Sequence, residues 1–203
     1  EGLIKKREAL RRVPADQLDQ IFHPMIDPKA KLKILGEGLG ASPGAAAGKI
    51  VFTPERAQEL AKNNEDAILV RMETSPEDIL GMSVAQGIIT AKGGMTSHAA
   101  VVARAMGKAC VSGVEELSVN SKSKQCRLGG VKLKELSHLT LDGSAGLVID
   151  GLVPLIQSRL TRSFTRMVTW ADDVRTLKVR ANADTPLDAK MARKFGAQGI
   201  GLC

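Results

Sequence analysis

Three short apolar runs, Ala67–Arg71, Gly87–Thr90 and Ala109–Ser112, are separated by turn and helix signals. Runs of this length bounded by Gly and Pro read as buried strands. After the first comes Thr74-Ser-Pro-Glu-Asp78, where Ser75 can cap, Pro76 fits the first helical position and Asp78 completes a capping box. A short helix is therefore expected to begin near Pro76. After the second run, Lys92-Gly93-Gly94 leads into an Ala/Val-rich helix from Ser97 to Met106, which Gly107 stops. Strand, turn, short helix, strand is the grammar of an α/β fold.

The flanking sequence has a different grain. Gly36, Gly38, Gly40, Gly44 and Gly48 surround Ser42-Pro43 and a run of alanines, leading into a strand at Lys49–Phe52. Such a segment lets backbones approach closely; it lacks the Lys-Ser/Thr of a nucleotide P-loop. Upstream, Leu3, Ile4, Leu10, Val13, Leu18, Ile21 and Phe22 give one or two amphipathic helices interrupted at Pro14, with Asp16 restarting the second. His23-Pro-Met-Ile-Asp-Pro28 is an extended connector, and His23 belongs to it. Residues 115–135 are polar and basic, and irregular or hairpin structure is expected there. Leu139–Asp142 and Gly146–Asp150 frame a β-hairpin. A linking helix is expected over 154–174, with Leu155, Ile156, Leu160, Phe164, Met167 and Val168 on one stripe. Leu177–Ala183, a helix opened by Asp184-Thr-Pro186 and closed by Gly196, and Gly199–Cys203 make one βαβ unit. One such unit cannot cover its own sheet, so it reads as the start of a larger parallel β/α domain, and the 203 residues as a piece of a longer chain.

Composition excludes several classes. At 43% hydrophobic residues the chain is too apolar for disorder, yet no apolar stretch approaches the ~20 residues of a membrane span. The charged N-terminal EGLIKKREALRRV has no signal core, which speaks against secretion. A net charge of +7 could suit nucleic acid, but four Phe, one Trp and no Tyr leave little to stack on bases. A solvated basic surface accounts for the charge. Cys110, Cys126 and Cys203 form no CxxC pair, so neither a disulfide framework nor a zinc site is expected, and a reducing compartment fits.

The chemistry concentrates at His98, which follows Gly93, Gly94, Thr96 and Ser97 and opens the Ala/Val helix. The first N–H groups of a helix lack internal partners and, with the dipole, favour negative charge. An imidazole there is disfavoured as a cation and can act as a nucleophile. A phosphoryl group on it would meet the orphan N–H groups and the Thr96 and Ser97 hydroxyls, with Gly93 and Gly94 leaving space. Position alone favours a histidine that merely caps a helix, since no acid or metal partner stands nearby in the sequence. His138, among polar residues before a strand, is the bland comparison.

The string GGMTSHAAVVARAMG at 93–107 resembles the phosphohistidine signature of the phosphoenolpyruvate-utilising enzymes. Within them it is most similar to the pyruvate phosphate dikinases, because Met95 stands where phosphoenolpyruvate synthases and phosphotransferase enzymes I carry Arg. GLGASPGAAAGKIVF at 38–52, ILVRMETSPEDILGM at 68–82, WADDVRTLKVRANADTP at 170–186 and GAQGIGLC at 196–203 extend the likeness. It is weakest over 115–137.

That resemblance implies a compact swivelling phosphohistidine domain of β/β/α layers at 36–150. It further implies a helical linker from a nucleotide-binding domain at 1–35, a linker helix at 151–175, and the first βαβ unit of a truncated phosphoenolpyruvate/pyruvate-binding β/α barrel at 176–203. The implied reaction interconverts ATP, phosphate and pyruvate with AMP, pyrophosphate and phosphoenolpyruvate. His98 would carry the phosphoryl group between the protein's own nucleotide-binding and barrel domains, in a homo-oligomer. Mg2+ and a monovalent cation would be held by residues outside 1–203, with no metal ligands within it, and the fragment alone would not turn over substrate.

Thr96 matches a threonine that a regulatory kinase-phosphatase modifies in plant members; by position it hydrogen-bonds near the helix start. Glu73, Asp78 and Arg104 also match family motifs and read as structural. Family members occur in cytoplasm, plastids and glycosomes, and the pI of about 9.5 leans toward the glycosome. The competing readings are a phosphoenolpyruvate synthase or enzyme I relative, and a non-catalytic basic α/β binding module.

Overall fold

The computed structural model describes residues 3–14, 22–156 and 162–201. The chain divides into two compact units, Ala15–Arg159 and Glu1–Pro14 with Leu160–Cys203. The Asp16, Leu18, Ile21, Leu160 and Cys203 positions of the expected elements lie outside the described residues.

The larger unit is built on an eight-stranded mixed sheet. Its strands are β2 (Ile34–Glu37), β3 (Leu39–Ser42), β4 (Ala45–Val51), β5 (Ala67–Arg71), β6 (Gly87–Thr90), β7 (Ala109–Ser112), β11 (His138–Asp142) and β12 (Leu147–Asp150). The spatial order is β2-β12-β11-β4-β5-β6-β7-β3, with β4 to β7 parallel and the remaining pairs antiparallel. The helices α2 (Pro54–Lys62), α3 (Ile79–Val84) and α4 (His98–Ala105) cross between the parallel strands, as parallel neighbours require. A smaller antiparallel sheet contains β8 (Ser118–Asn120), β9 (Gln125–Leu128) and β10 (Val131–Lys134).

The sheet's period-two alternation sorts the core into two clusters. Ile50, Phe52, Ile68, Val70, Ile89 and Val111 face one way and pack with Val114, Leu117, Cys126, Leu128 and Leu133 from the small sheet and the segment before it. Val51, Leu69, Ile88 and Cys110 face the other way and pack with Ala57 and Leu60 of α2, Met82 of α3 and Ala99, Ala100 and Ala103 of α4. These three buried alanines explain the composition of α4: small side chains let the helix pack closely on the sheet.

Strands β5, β6 and β7 match the three apolar runs residue for residue, and the hairpin closes at Gly146. Over 115–135 the hairpin form of the expectation holds: β8, β9 and β10 pair antiparallel, Val119, Cys126, Leu128, Val131 and Leu133 alternate inward between exposed charges, and Gly129-Gly130 (φ +53° and +80°) supply the tight turn. Other expectations need correction. Leu155 and Ile156 are not helical. They form β13 (Leu155–Ile156), antiparallel to β1 (Met25–Ile26), so the extended connector is a paired strand. Among the described residues the helix is α5 (Arg162–Val174). Strands β2 and β3 and helix α2 had no counterpart in the sequence reading.

In the smaller unit, α1 (Lys6–Arg11) meets α5 through Lys6, whose Nζ lies 3.7 Å from Asp173 Oδ2 and 5.8 Å from the Trp170 ring centre. The expected βαβ is present as β14 (Arg180–Ala181), α6 (Pro186–Lys194) and β15 (Gly199–Ile200), with parallel strands. The first strand is shorter than the 177–183 expected. Thr185 Oγ1 accepts from Asp188 N and the Asp188 carboxylate accepts from Thr185 N, capping α6. No residue of α1, α5 or α6 is buried, and Leu177, Leu187 and Phe195 are largely exposed.

Candidate functional site

Strand β6 ends at Thr90, and the chain then runs through a tight loop into α4. Ala91 N and Lys92 N donate to Arg71 O and Met72 O, which ties this loop to the one leaving β5. Gly93 has φ +125°, and a Cβ there would stand 2.7 Å from Ser112 Oγ and 2.9 Å from Ser97 Oγ. Only glycine meets both demands, a left-handed backbone and no side chain. Gly94, by contrast, opens on free space. Ser97 N donates to Gly94 O at 3.0 Å, closing a turn that presents His98.

Ser97 is the N-cap of α4: its backbone is extended and its Oγ accepts from Ala100 N at 3.4 Å. Its hydroxyl also lies 3.4 Å from Ser112 Oγ, itself 3.1 Å from Thr90 Oγ1. Val101 N donates to Ser97 O, which leaves the N–H groups of His98 and Ala99 at the helix tip without intrahelical acceptors. Arg104 turns back along α4, donating from Nη1 to Ala41 O at 2.9 Å and from Nη2 to Met95 O at 2.7 Å. It therefore braces the loop before His98, a structural role.

His98 is half-buried, and its Nδ1 lies 3.0 Å from Thr74 Oγ1. One ring nitrogen is thus engaged by the β5–α3 loop while Nε2 is left for another partner. Thr74 escaped the sequence reading: it is 24 positions away and no local pattern pairs a threonine with a distant histidine. Thr96 is exposed in the turn, beside Met95, which is 48% exposed. Glu73 is exposed. Asp78 is buried, accepts from Ser75 N at 2.9 Å and faces Arg71. The structure thus brings Gly93, Gly94, Ser97 and His98 together with Thr74 and Ser112. His138 opens β11, and the Cβ of half-buried His23 packs over Gly44.

Among the described residues no group of three His, Cys, Asp or Glu side chains could hold a metal ion. No helix among them is long and apolar enough to cross a membrane.

Two family models match the chain. The model of the PEP-utilising enzyme mobile domain covers residues 63–146, and that of the PEP-utilising enzyme PEP-binding domain covers 158–203. The chain is 51% identical over 203 residues to the pyruvate, phosphate dikinase of Rhizobium meliloti (strain 1021), covering all of this chain and 23% of that protein. It is 51% identical over 205 residues to the pyruvate, phosphate dikinase of Clostridium symbiosum, covering 100% of this chain and 24% of the relative. The chloroplastic pyruvate, phosphate dikinase 1 of Oryza sativa subsp. japonica is 52% identical over 205 residues, again covering 100% of this chain and 22% of the relative. The chain therefore spans about a quarter of the length of the curated relatives it matches.

Proposed function

Because the chain belongs to the phosphoenolpyruvate-utilising enzyme family, we propose that it is the phosphoryl-carrier segment of a pyruvate, phosphate dikinase. The reaction is the interconversion of ATP, phosphate and pyruvate with AMP, pyrophosphate and phosphoenolpyruvate through a phosphohistidine at His98. The observation that carries the reading is the contact of His98 Nδ1 with Thr74 Oγ1 at the N-terminus of α4. With Nδ1–H donating to Thr74, the lone pair resides on Nε2.

In the charging step Nε2 attacks phosphorus as the P–O bond to the donor breaks. In the discharging step the enolate oxygen of pyruvate attacks phosphorus, and the P–N bond breaks to return a neutral imidazole. The N–H groups of His98 and Ala99 face the charge that the phosphoryl oxygens carry, and Gly94 gives them room. Gly93 and Ser97 shape the loop, and Thr96 borders it, which suits a regulatory hydroxyl.

On this reading residues 36–150 are the swivelling carrier domain, 1–35 and 151–175 its linkers, and 176–203 the opening of the substrate barrel. The exposed apolar side chains on the βαβ unit, Leu187 and Phe195 among them, are those a larger barrel would cover. The nucleotide-binding and barrel domains of the full protein, a homo-oligomer, then supply the ATP and pyruvate sites with Mg2+ and a monovalent cation. The buried free thiols Cys110 and Cys126 suit a reducing compartment: cytoplasm, plastid or glycosome.

The test is to incubate the full-length protein with labelled phosphoenolpyruvate and search for acid-labile, alkali-stable phosphate on His98. Its absence would overturn the carrier reading in favour of a binding module. A strict requirement for inorganic phosphate in the ATP-dependent direction separates a dikinase from a synthase.

A further inference from the structure

The phosphohistidine chemistry uses one hydrogen bond to Thr74, yet the loop that carries Thr74 is anchored by an ion pair, one member of it buried, that the reaction does not touch. Asp78 is 1% exposed. Its Oδ2 accepts from Ser75 N at 2.9 Å and lies 3.4 Å from Ser75 Oγ, while its Oδ1 lies 3.1 Å from Arg71 Nε. Arg71 Nη1 in turn donates to Phe52 O at 3.1 Å, beyond the end of β4. The relay therefore runs from the end of one strand, through the ion pair of half-buried Arg71 with buried Asp78, to the backbone of Ser75, next to Thr74.

A buried ion pair is a poor general stabiliser, because desolvation offsets most of the attraction. Its value lies in geometry: two opposite charges 3.1 Å apart, each hydrogen-bonded to a backbone group, Phe52 O and Ser75 N, admit few alternative arrangements. The backbone on the other side of the loop is held as well, since Met72 O accepts from Lys92 N at 2.8 Å. Thr74 thus sits on a strut fixed at both ends.

We propose that Arg71 and Asp78 are positioning residues for His98: they hold the 72–78 loop so that Thr74 accepts from Nδ1–H and leaves Nε2 as the nucleophile. The proposal rests on the carrier reading above for its purpose, but its test does not require phosphoryl transfer.

The experiment is imidazole nitrogen NMR on this 203-residue chain at a pH where the rings are neutral, with His23 and His138 as internal references. Thr74→Val calibrates the loss of the His98 contact. Two clamp variants follow. The double variant Arg71→Met/Asp78→Leu removes both charges together and keeps the volume, which protects folding. Asp78→Asn retains an acceptor for Ser75 N.

The wild type is expected to show His98 mainly as the Nδ1–H tautomer. In each folded clamp variant the Nδ1–H to Nε2–H ratio should fall by about 2- to 10-fold toward the Thr74→Val value, the range a neutral hydrogen bond sets. His23 and His138 should not change. A folded clamp variant with wild-type His98 signals overturns the proposal, as does a wild type already dominated by Nε2–H. Restoration of the wild-type ratio in Asp78→Asn alone would assign the effect to the Ser75 contact and overturn the role given to Arg71. A lack of phosphate on His98 in the full-length protein would instead sink the carrier reading while leaving the tautomer result standing.

Discussion

Thr74 Oγ1 and His98 Nδ1, 3.0 Å apart, join the loops that follow two neighbouring parallel strands, β5 and β6. Both loops leave the same edge of the sheet, where crossover helices of a parallel sheet begin. A side chain from one loop can therefore brace the nucleophile at the end of the other without any intervening structure.

His98→Asn in the full-length protein should abolish both half-reactions and leave the fold unchanged. Asn keeps polarity at the start of α4 and cannot carry a phosphoryl group. The check is isotope exchange for each half-reaction alongside circular dichroism; residual conversion of pyruvate would contradict the assignment.

Thr96→Asp should act with opposite signs on stability and on transfer. A carboxylate just before α4 meets the positive end of its dipole and adds about 0.3–1 kcal/mol to stability. The same charge repels an incoming phosphoryl group, and transfer should slow at least about tenfold, the equivalent of ~1.4 kcal/mol. Thermal unfolding and single-turnover phosphorylation read the two effects separately.

Gly93→Ala should destabilise the larger unit by roughly 1–3 kcal/mol, through a left-handed backbone and a methyl pressed on two hydroxyls. Gly94→Ala meets nothing within 4 Å and should be near neutral for stability. Urea denaturation of the two variants side by side makes the comparison.

The Arg71–Asp78 pair should be strongly non-additive. Asp78→Leu alone strands a guanidinium that is only 27% exposed, at a cost of about 3–5 kcal/mol, whereas Arg71→Met/Asp78→Leu should cost far less. A double-mutant cycle in urea gives the coupling directly; additive losses would show that the two charges do not sense each other.

Burial pushes the Cys110 thiol up to about 12 and the Cys126 thiol up to about 11. Peptides containing either residue should resist alkylation at pH 8 in the folded chain, since on the order of one Cys110 in ten thousand is a thiolate there. The raised values also set a sign for stability. The folded state keeps these protons when the unfolded thiols, near ~8.5, have lost theirs, so stability is intact below that pH and declines as pH rises toward 11–12. Denaturation midpoints from pH 7 to pH 10 should fall in the upper half of that range.

What could be read from the chain follows from how local its causes are. Strands β5, β6 and β7 announce themselves because both faces are buried and every residue but Arg71 at the end of β5 is apolar or small. The start of α4 is equally plain, since Ser97 and Gly107 mark its two ends. Helix α2 was overlooked although Thr53-Pro54 is a start signal: only Ala57 and Leu60 are buried, which leaves no stripe to see. Residues 118–134 carry their apolar alternation on short strands with lysines between, so charge masked periodicity. Leu155 and Ile156 belong to a strand because Met25 and Ile26 lie alongside, and pairing across such a distance leaves no trace in either segment alone. The nucleophile was legible as a motif; its brace at Thr74 and the charges behind it were not, because they meet only in the fold.

The pairing of Met25 with Ile156 and of Ile26 with Leu155 also has a topological meaning. The chain enters and leaves residues 25–156 at the same place, so the segment is a loop closed on itself by backbone hydrogen bonds. Its two ends are neighbours, which is the condition for transplanting a segment into a host loop or for joining its ends and cutting elsewhere. Residues 25–156 can thus be handled as a cassette, inserted, removed or circularly permuted, with the His98 loop, its Thr74 brace and the Arg71–Asp78 pair carried along intact.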